Sequence, residues 1–248
     1  RAARAADLSE RSLTELAELF QTDKWGAHRY TPHYEAMLGP LKRRRFALLE
    51  IGIGGYNHEG QGGASLRMWK AFFPRAQVIG LDIEDKSFVD EDRIVTYQGS
   101  QTDPEVLDRI LAEHPVSVVV DDGSHRSEHI LETFAHLVPR LPDGAVYAIE
   151  DTQTSYWASY GGSTDPRAPT TMNLVRDLLD DLNWEDHTRE DHTPSFSEEQ
   201  VVELHAYRNL VILKKGRNVE RHGRRHPAAR LASDEKDARR TGSATPDS

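Results

Sequence analysis

The chain has 248 residues, 37% of them hydrophobic and 29% charged, which is enough apolar material for one large domain beneath a heavily charged surface. Its 31 basic residues against 41 acidic ones give a net charge of −10, the wrong sign for a general nucleic-acid-binding surface. There is no cysteine, which removes disulfides, thiolate metal sites and cysteine nucleophiles together. Residues 1–11 open on small and charged side chains and are expected to fray. SLTELAELF (12–20) places Leu13, Leu16, Leu19 and Phe20 at helical spacing. A polar-aromatic stretch with no clear period follows, QTDKWGAHRYTPHYEAML. FALLEIGIGG (46–55) reads as a buried strand entering a glycine-rich turn, and SLRMWKAFF (65–73) as a helix capped by Ser65. QVIGLDI (77–83) and RIVTYQGS (93–100) are two further strands. DPEVLDRILAEH (103–114) is a helix with Asp103 at its N-cap and Pro104 at its first position. VSVVVDD (116–122) is a fourth strand, SEHILETFAHLVPRL (127–141) a helix and AVYAIED (145–151) a fifth strand. A long aromatic loop (152–169) leads to the helix TMNLVRDLLDDL (171–182). VVELHAYRNLVILKKG (201–216) reads as a hairpin turning near Arg208 and Asn209. Residues 217–248 lose nearly all large apolar residues and are expected to be a disordered tail.

No run approaches the roughly 18 apolar residues of a membrane span, and no signal-peptide core is visible, so the expectation is a soluble cytoplasmic protein. Strands with continuous apolar character, alternating with helices, imply an α/β fold: a parallel, doubly wound sheet with an antiparallel hairpin at its edge. Ligands of such sheets sit at the carboxyl ends of the strands. Every unusual polar cluster of this chain falls at such an end.

Glu50, Gly52 and Gly54 close the first strand. Glycines let the backbone turn tightly and approach a ligand, although a glycine loop alone can be only a turn. Gly52-x-Gly54-x-x-Asn57 departs from the dinucleotide pattern, and no P-loop lysine follows. Glu50 would repel a pyrophosphate and suits a cationic ligand. S-adenosylmethionine carries a sulfonium and an ammonium and no phosphate. Asp82, ending the second strand, can accept both ribose hydroxyls of an adenosine; taken alone it can equally be a solvated acid. Gly99, Ser100 and Gln101 end the third strand, where an adenine would lie. Asp121 and Asp122 end the fourth strand, and Glu150 and Asp151 the fifth. Neighbouring strands lie about 4.8 Å apart, so the four acids should converge and repel. A hard divalent cation such as Mg²⁺ removes that conflict. His125, just beyond Asp122, can take a proton from an alcohol. The plainer reading has Asp122 or Ser124 capping the next helix, with Glu150 and Asp151 as a solvated strand end. A metal-dependent hydrolase is a further alternative.

TDKWGAHRYTPHYE, LLEIGIGGY, SLRMWK, GLDI, DDGSH and AIEDTQTSYW resemble the metal-dependent sugar O-methyltransferases of the macrocin and mycinamicin type, over about residues 14–216. A related single-domain mycobacterial group methylates mannose polysaccharides. The resemblance implies a class I S-adenosylmethionine-dependent methyltransferase fold with a seven-stranded sheet, Mg²⁺ as metal, and a homodimer. It implies Asp122, Glu150 and Asp151 as metal ligands and His125 as base, with Asp121 left for the cofactor side. Thr22, Lys24 and Tyr30 would belong to a segment (12–45) folded over the cofactor of a single domain (12–216). The sequence is expected to lack the extra N-terminal domain of the mycinamicin enzyme, which sets an oligosaccharide or polysaccharide acceptor beside a deoxysugar of a glycosylated natural product. Tyr156, Trp157 and Tyr160 can then stack on sugar C–H faces, or serve as core or dimer contact. His187 and His192 offer polar contacts or belong to a solvated loop. The alternatives are methylation of a catechol or small polyketide alcohol, and a non-catalytic nucleoside-binding protein.

Overall fold

The computed structural model describes residues 8–56, 58, 60–187 and 192–219. Strands β1 (Ala47–Ile51), β2 (Gln77–Asp82), β3 (Ile94–Gln98), β4 (Val116–Asp121), β5 (Val146–Glu150), β6 (Val201–Tyr207) and β7 (Leu210–Lys215) form one sheet. Their spatial order is β3-β2-β1-β4-β5-β7-β6. The first five strands run parallel, while β7 pairs antiparallel with β5 and β6 antiparallel with β7. The expected hairpin is therefore present, with its second strand inserted next to β5.

Both faces of the sheet are covered, which explains why its strands are apolar without alternation. Leu48, Val78, Val118, Val120 and Ala148 face one cluster, under helices α1 (Leu13–Phe20), α2 (Thr31–Leu38) and α3 (Ala64–Phe72). Leu49, Ile79, Val119, Tyr147 and Leu213 face the other, under α4 (Pro104–Glu113), α5 (Ser127–Leu137) and α6 (Thr171–Asp181). A short helix, α7 (Phe196–Gln200), leads into β6.

Local signals account for several of these elements. Ser12 and Glu15 close a capping box at α1. Asp103 caps α4 from the residue before Pro104, as its sequence predicts. Helix α2 has Pro32 in its first turn but no side-chain cap, and its buried positions are Thr31, Tyr34 and Leu38 rather than an apolar stripe. Ser65 is not the N-cap of α3. The helix begins at Ala64, and the cap position is held by Gly63 at φ +74° with no side-chain bond. Gly63 donates instead to the Ile53 carbonyl at 2.7 Å, which closes the glycine loop onto the helix start.

The packed chain extends past both expected limits. Ser9 is buried, and Leu8 packs against the first cluster. Asn218 donates to the carbonyls of Asp181, Leu182 and Glu198, tying α6 to α7. The expected tail otherwise lies outside the described residues from 220 onward, as do residues 1–7. Among the described residues no helix is long and apolar enough to cross a membrane.

Candidate active site

β1 and β4 lie side by side, yet the chain continues outward from them in opposite directions, so their carboxyl ends frame the crevice where ligands of open α/β sheets bind. The two-residue period of a strand sorts the acids there. Glu50 shares the face of Leu48, and Glu150 that of Ala148, both beneath the N-terminal helices. Asp121 shares the opposite face with Val119.

The converging acids do have a cation among them, and it belongs to the chain. Lys24 Nζ lies 2.7 Å from Asp122 Oδ2, 2.8 and 2.9 Å from the two Glu150 oxygens, and 3.1 Å from Glu50 Oε1. The lysine is 1% exposed. Tyr34 Oη donates to Glu150 Oε1 at 2.6 Å. Burial works against the Lys24 ammonium, but Asp122, Glu150 and Glu50 outweigh it and hold its pKa well above the usual lysine value. Burial drives the Glu150 carboxyl well up, with Asp122 adding to the push and Lys24 opposing it. Burial also raises Glu50 and Asp122, against the pull of Lys24.

Beside this buried cluster is a more open one. Asp122, His125 and Asp151 offer ligand atoms all within 4.8 Å of one another. His125 Nε2 is 3.8 Å from Asp151 Oδ2, and His125 Nδ1 is buried with no hydrogen-bond partner. Asp151 accepts from Tyr30 Oη at 2.6 Å and has His28 Nδ1 at 3.6 Å. Burial tends to raise the Asp151 carboxyl, but the bond from Tyr30 and the nearby His125 and His28 leave it below the usual value. His125 (φ +55°) and Asp151 (φ +50°) both occupy the left-handed region, uncommon for residues other than glycine. Thr154 Oγ1 bonds to the His125 carbonyl at 2.9 Å and helps to hold the first of these turns. Strain of this kind persists only where surroundings impose it, and it clusters at functional sites. Two partly exposed carboxylates with an imidazole beside them fit a hard divalent cation. Glu150, expected as a third ligand, is not in this group; its oxygens face Lys24 and Tyr34.

The remaining candidates fall into two sets. Asp121 is 1% exposed, and its oxygens accept from Gln101 Nε2 at 3.2 Å and Tyr147 Oη at 2.9 Å. Gln101 also donates to Thr133 and accepts from the Ser124 amide at 2.8 Å. These two side chains, expected at the cofactor, are thus committed to joining the ends of β3 and β4. Asp82 holds the glycine loop, accepting from the amides of Ile53 at 3.1 Å and Glu84 at 3.0 Å. Gly52 is required where it stands. At φ +76°, a Cβ on it would lie 2.2 Å from the Asp122 carbonyl oxygen. Gly54, at φ +71°, faces open space. Ser100 pairs with Thr102 at 2.9 Å, and buried Thr22 sits two residues before Lys24. Tyr156 and Trp157 are half exposed on the short turns that follow Asp151. His192 is bound to Glu198 at 2.8 Å and belongs to the packing of α7.

Sequence reasoning missed Tyr34 and Ile83 here, and it set Lys24 over the cofactor rather than among the acids. Lys24 and Tyr34 lie in the stretch with no period, although the need for a positive charge among the acids was visible. Ile83, 65% exposed next to Asp82, was read as the end of a buried strand. An open apolar side chain beside a strand-end acid can cover the face of a purine.

The sheet order, the glycine turn after β1 and the acid ending β2 are those of the class I S-adenosylmethionine-dependent methyltransferase fold. No family model matches the chain. It is similar to the mycinamicin VI 2''-O-methyltransferase of Micromonospora griseorubida, with 44% identity over 213 residues, 84% of this chain and 53% of that protein. It is also similar to the 8-demethyl-8-(2-methoxy-alpha-L-rhamnosyl)-tetracenomycin-C 3'-O-methyltransferase of Streptomyces olivaceus, at 43% over 222 residues, 88% of this chain and 57% of that protein. Among solved structures, it superposes on the MycE methyltransferase from the mycinamycin biosynthetic pathway in complex with Mg and SAH. The TM-score is 0.83 at 41% identity, covering 90% of this chain and 60% of that one. The chain spans about half the length of the curated relatives it matches.

Proposed function

We propose that this chain carries the methyl-transfer domain of an S-adenosylmethionine- and Mg²⁺-dependent O-methyltransferase acting on a sugar hydroxyl of a glycosylated natural product. The observation that carries the reading is the cluster of Asp122, His125 and Asp151 at the mouth of the crevice, next to the glycine turn. Similarity to enzymes named for O-methylation of sugar-bearing compounds supports the acceptor class. The mannose polysaccharide acceptor has no comparable support.

In this reading Gly52, Gly54, Asp82 and Ile83 receive the nucleoside, with Thr22 and Tyr30 on the covering segment. Asp122 and Asp151 would hold the metal, and Glu150, which faces Lys24 and Tyr34, would join them only by giving up part of its contact with Lys24. When bound, S-adenosylmethionine supplies an electrophilic methyl and Mg²⁺ lowers the pKa of a hydroxyl beside it. His125 takes the hydroxyl proton at Nε2, the ring nitrogen facing Asp151. Asp151 stabilises the resulting imidazolium, and Tyr30 fixes the carboxylate by its hydrogen bond. Tyr156 and Trp157 offer open rings to the sugar. Assembly as a homodimer belongs to the same proposal and is read by sedimentation.

The test is calorimetry with S-adenosylmethionine, then methylation of mycinamicin-type and rhamnosyl acceptors with EDTA and Mg²⁺ add-back. Binding, with transfer lost to EDTA and restored by Mg²⁺, is the expected result. Transfer insensitive to chelation removes the metal role, and absence of cofactor binding removes the enzymatic reading altogether.

A further inference from the structure

We infer that Lys24 is a positioning residue for the metal site, a built-in cation that competes with the divalent ion for Asp122 and Glu150 and so sets how tightly that ion is held. The inference rests on the metal reading above. Its basis is that Lys24 Nζ touches carboxylates from the ends of three strands, at 2.7 Å (Asp122), 2.8 Å (Glu150) and 3.1 Å (Glu50). Asp122 belongs at once to this buried cluster and to the open group with His125 and Asp151. Any ion binding there shares that carboxylate with an ammonium it cannot displace into water, because Lys24 is 1% exposed.

The lysine cannot move freely either. Its carbonyl accepts from the Tyr30 amide at 3.0 Å, Thr22 donates to the Ala17 carbonyl at 3.1 Å, and the Tyr30 hydroxyl is fixed on Asp151. The stretch between α1 and α2 is therefore held at both ends over the acids. An ammonium locked in this place does two things. It keeps the three carboxylates of Glu50, Asp122 and Glu150 from repelling one another when no metal is bound. It also lowers the negative charge available to the ion, which weakens binding and makes it reversible. Screening by water is weak at such depth, so one nearby positive charge is worth roughly tenfold or more in the affinity of a divalent ion.

The experiment titrates Mn²⁺ into the full chain by calorimetry, with bound ion followed by electron paramagnetic resonance, and pairs this with thermal melts. Lys24→Met should bind Mn²⁺ about tenfold or more tightly than wild type. It should melt lower than wild type without metal and recover most of the difference when Mn²⁺ is added. Lys24→Arg keeps the charge and should return the affinity toward wild type. Lys24→Gln retains polarity without charge and gives the same reading if Lys24→Met does not fold. A lysine that merely supports the fold would lower stability without tightening the ion. Equal or weaker Mn²⁺ binding in the neutral variants overturns the inference. Absence of Mn²⁺ binding in both wild type and variants overturns the metal reading itself, a different result.

Discussion

Adjacent residues at the end of β4 have opposite fates. Asp122 belongs to the open group with His125 and Asp151, while Asp121 is sealed on the other face between Gln101 and Tyr147. Burial pushes the Asp121 carboxyl up to about 6 from 3.8, against the bonds from Tyr147 and Gln101. A carboxyl raised in the folded state binds its proton more tightly there than in the unfolded chain. Its contribution to stability is complete below pH ~4 and is lost as pH rises through ~6. By pH 8 the ionised Asp121 should cost about 3 kcal/mol. Asp121→Asn keeps the shape, the bond from Gln101 and a polar partner for Tyr147, but cannot ionise. Urea unfolding should show it more stable than wild type at pH 8 and nearly equal at pH 4; equal effects at both pH values would count against the buried-acid account. His125 gives the complementary case. Its φ of +55° suits asparagine better than most residues. His125→Asn should lose ~10²–10⁴-fold in methyl transfer while its melting temperature holds or rises, and its cofactor affinity should be unchanged. A parallel loss of stability and rate would indicate a structural histidine instead. The sequence made His125 and the paired acids visible because they interrupt an apolar run. The resemblance set Asp121 apart from Asp122 by leaving it to the cofactor side, but it did not show Asp121 sealed between Gln101 and Tyr147, although strand parity counted from Val118 and Val120 puts it on the opposite face.

At the scale of elements, the site depends on two loops meeting over the end of the sheet. The turn after β1 passes so close to the turn after β4 that only glycine fits at position 52. A Cβ there would overlap the backbone of Asp122, a member of the open group with His125 and Asp151. Gly52→Ala should therefore cost at least ~2 kcal/mol, from a left-handed alanine plus displacement of one loop. It should lower the urea midpoint with the slope unchanged, and weaken metal binding in the same protein. Normal stability in Gly52→Ala would mean that the loops separate easily. The β-strands and most helices were legible because each carries its own period, cap or breaker. Helix α2 was not, since it buries Thr31 and Tyr34, which a hydrophobic pattern does not count. Tyr34 is buried as the donor to Glu150, a partner 116 residues away that no local window contains. The same holds for Lys24, 126 residues from Glu150. The need for a cation could be read from the acids, whereas its source could not.

For the whole molecule, the stretch between α1 and α2, the strand ends and the aromatic turns after Asp151 meet at one end of the sheet. A ligand bound there touches parts of the chain distant in sequence, so its binding should stabilise the fold as a unit. A ligand at a hundredfold excess over its dissociation constant stabilises by about 2.7 kcal/mol. For a domain of this size that corresponds to a rise in melting temperature of roughly 5–10 °C. S-adenosylhomocysteine should produce such a rise alone, because the nucleoside side of the crevice does not use the metal carboxylates. Mg²⁺ should add to it, and EDTA should remove only the added part. Asp151→Asn should keep the shift from S-adenosylhomocysteine and lose the shift from Mg²⁺, since Asp151 belongs to the metal group and not to the glycine turn. Asp82→Asn should do the reverse, weakening the cofactor shift and sparing that of Mg²⁺. If either variant abolished both shifts, the crevice would have to be one indivisible site. Separate losses would establish two neighbouring subsites within the crevice, one for the nucleoside at the glycine turn and one for the metal at the group of Asp122, His125 and Asp151.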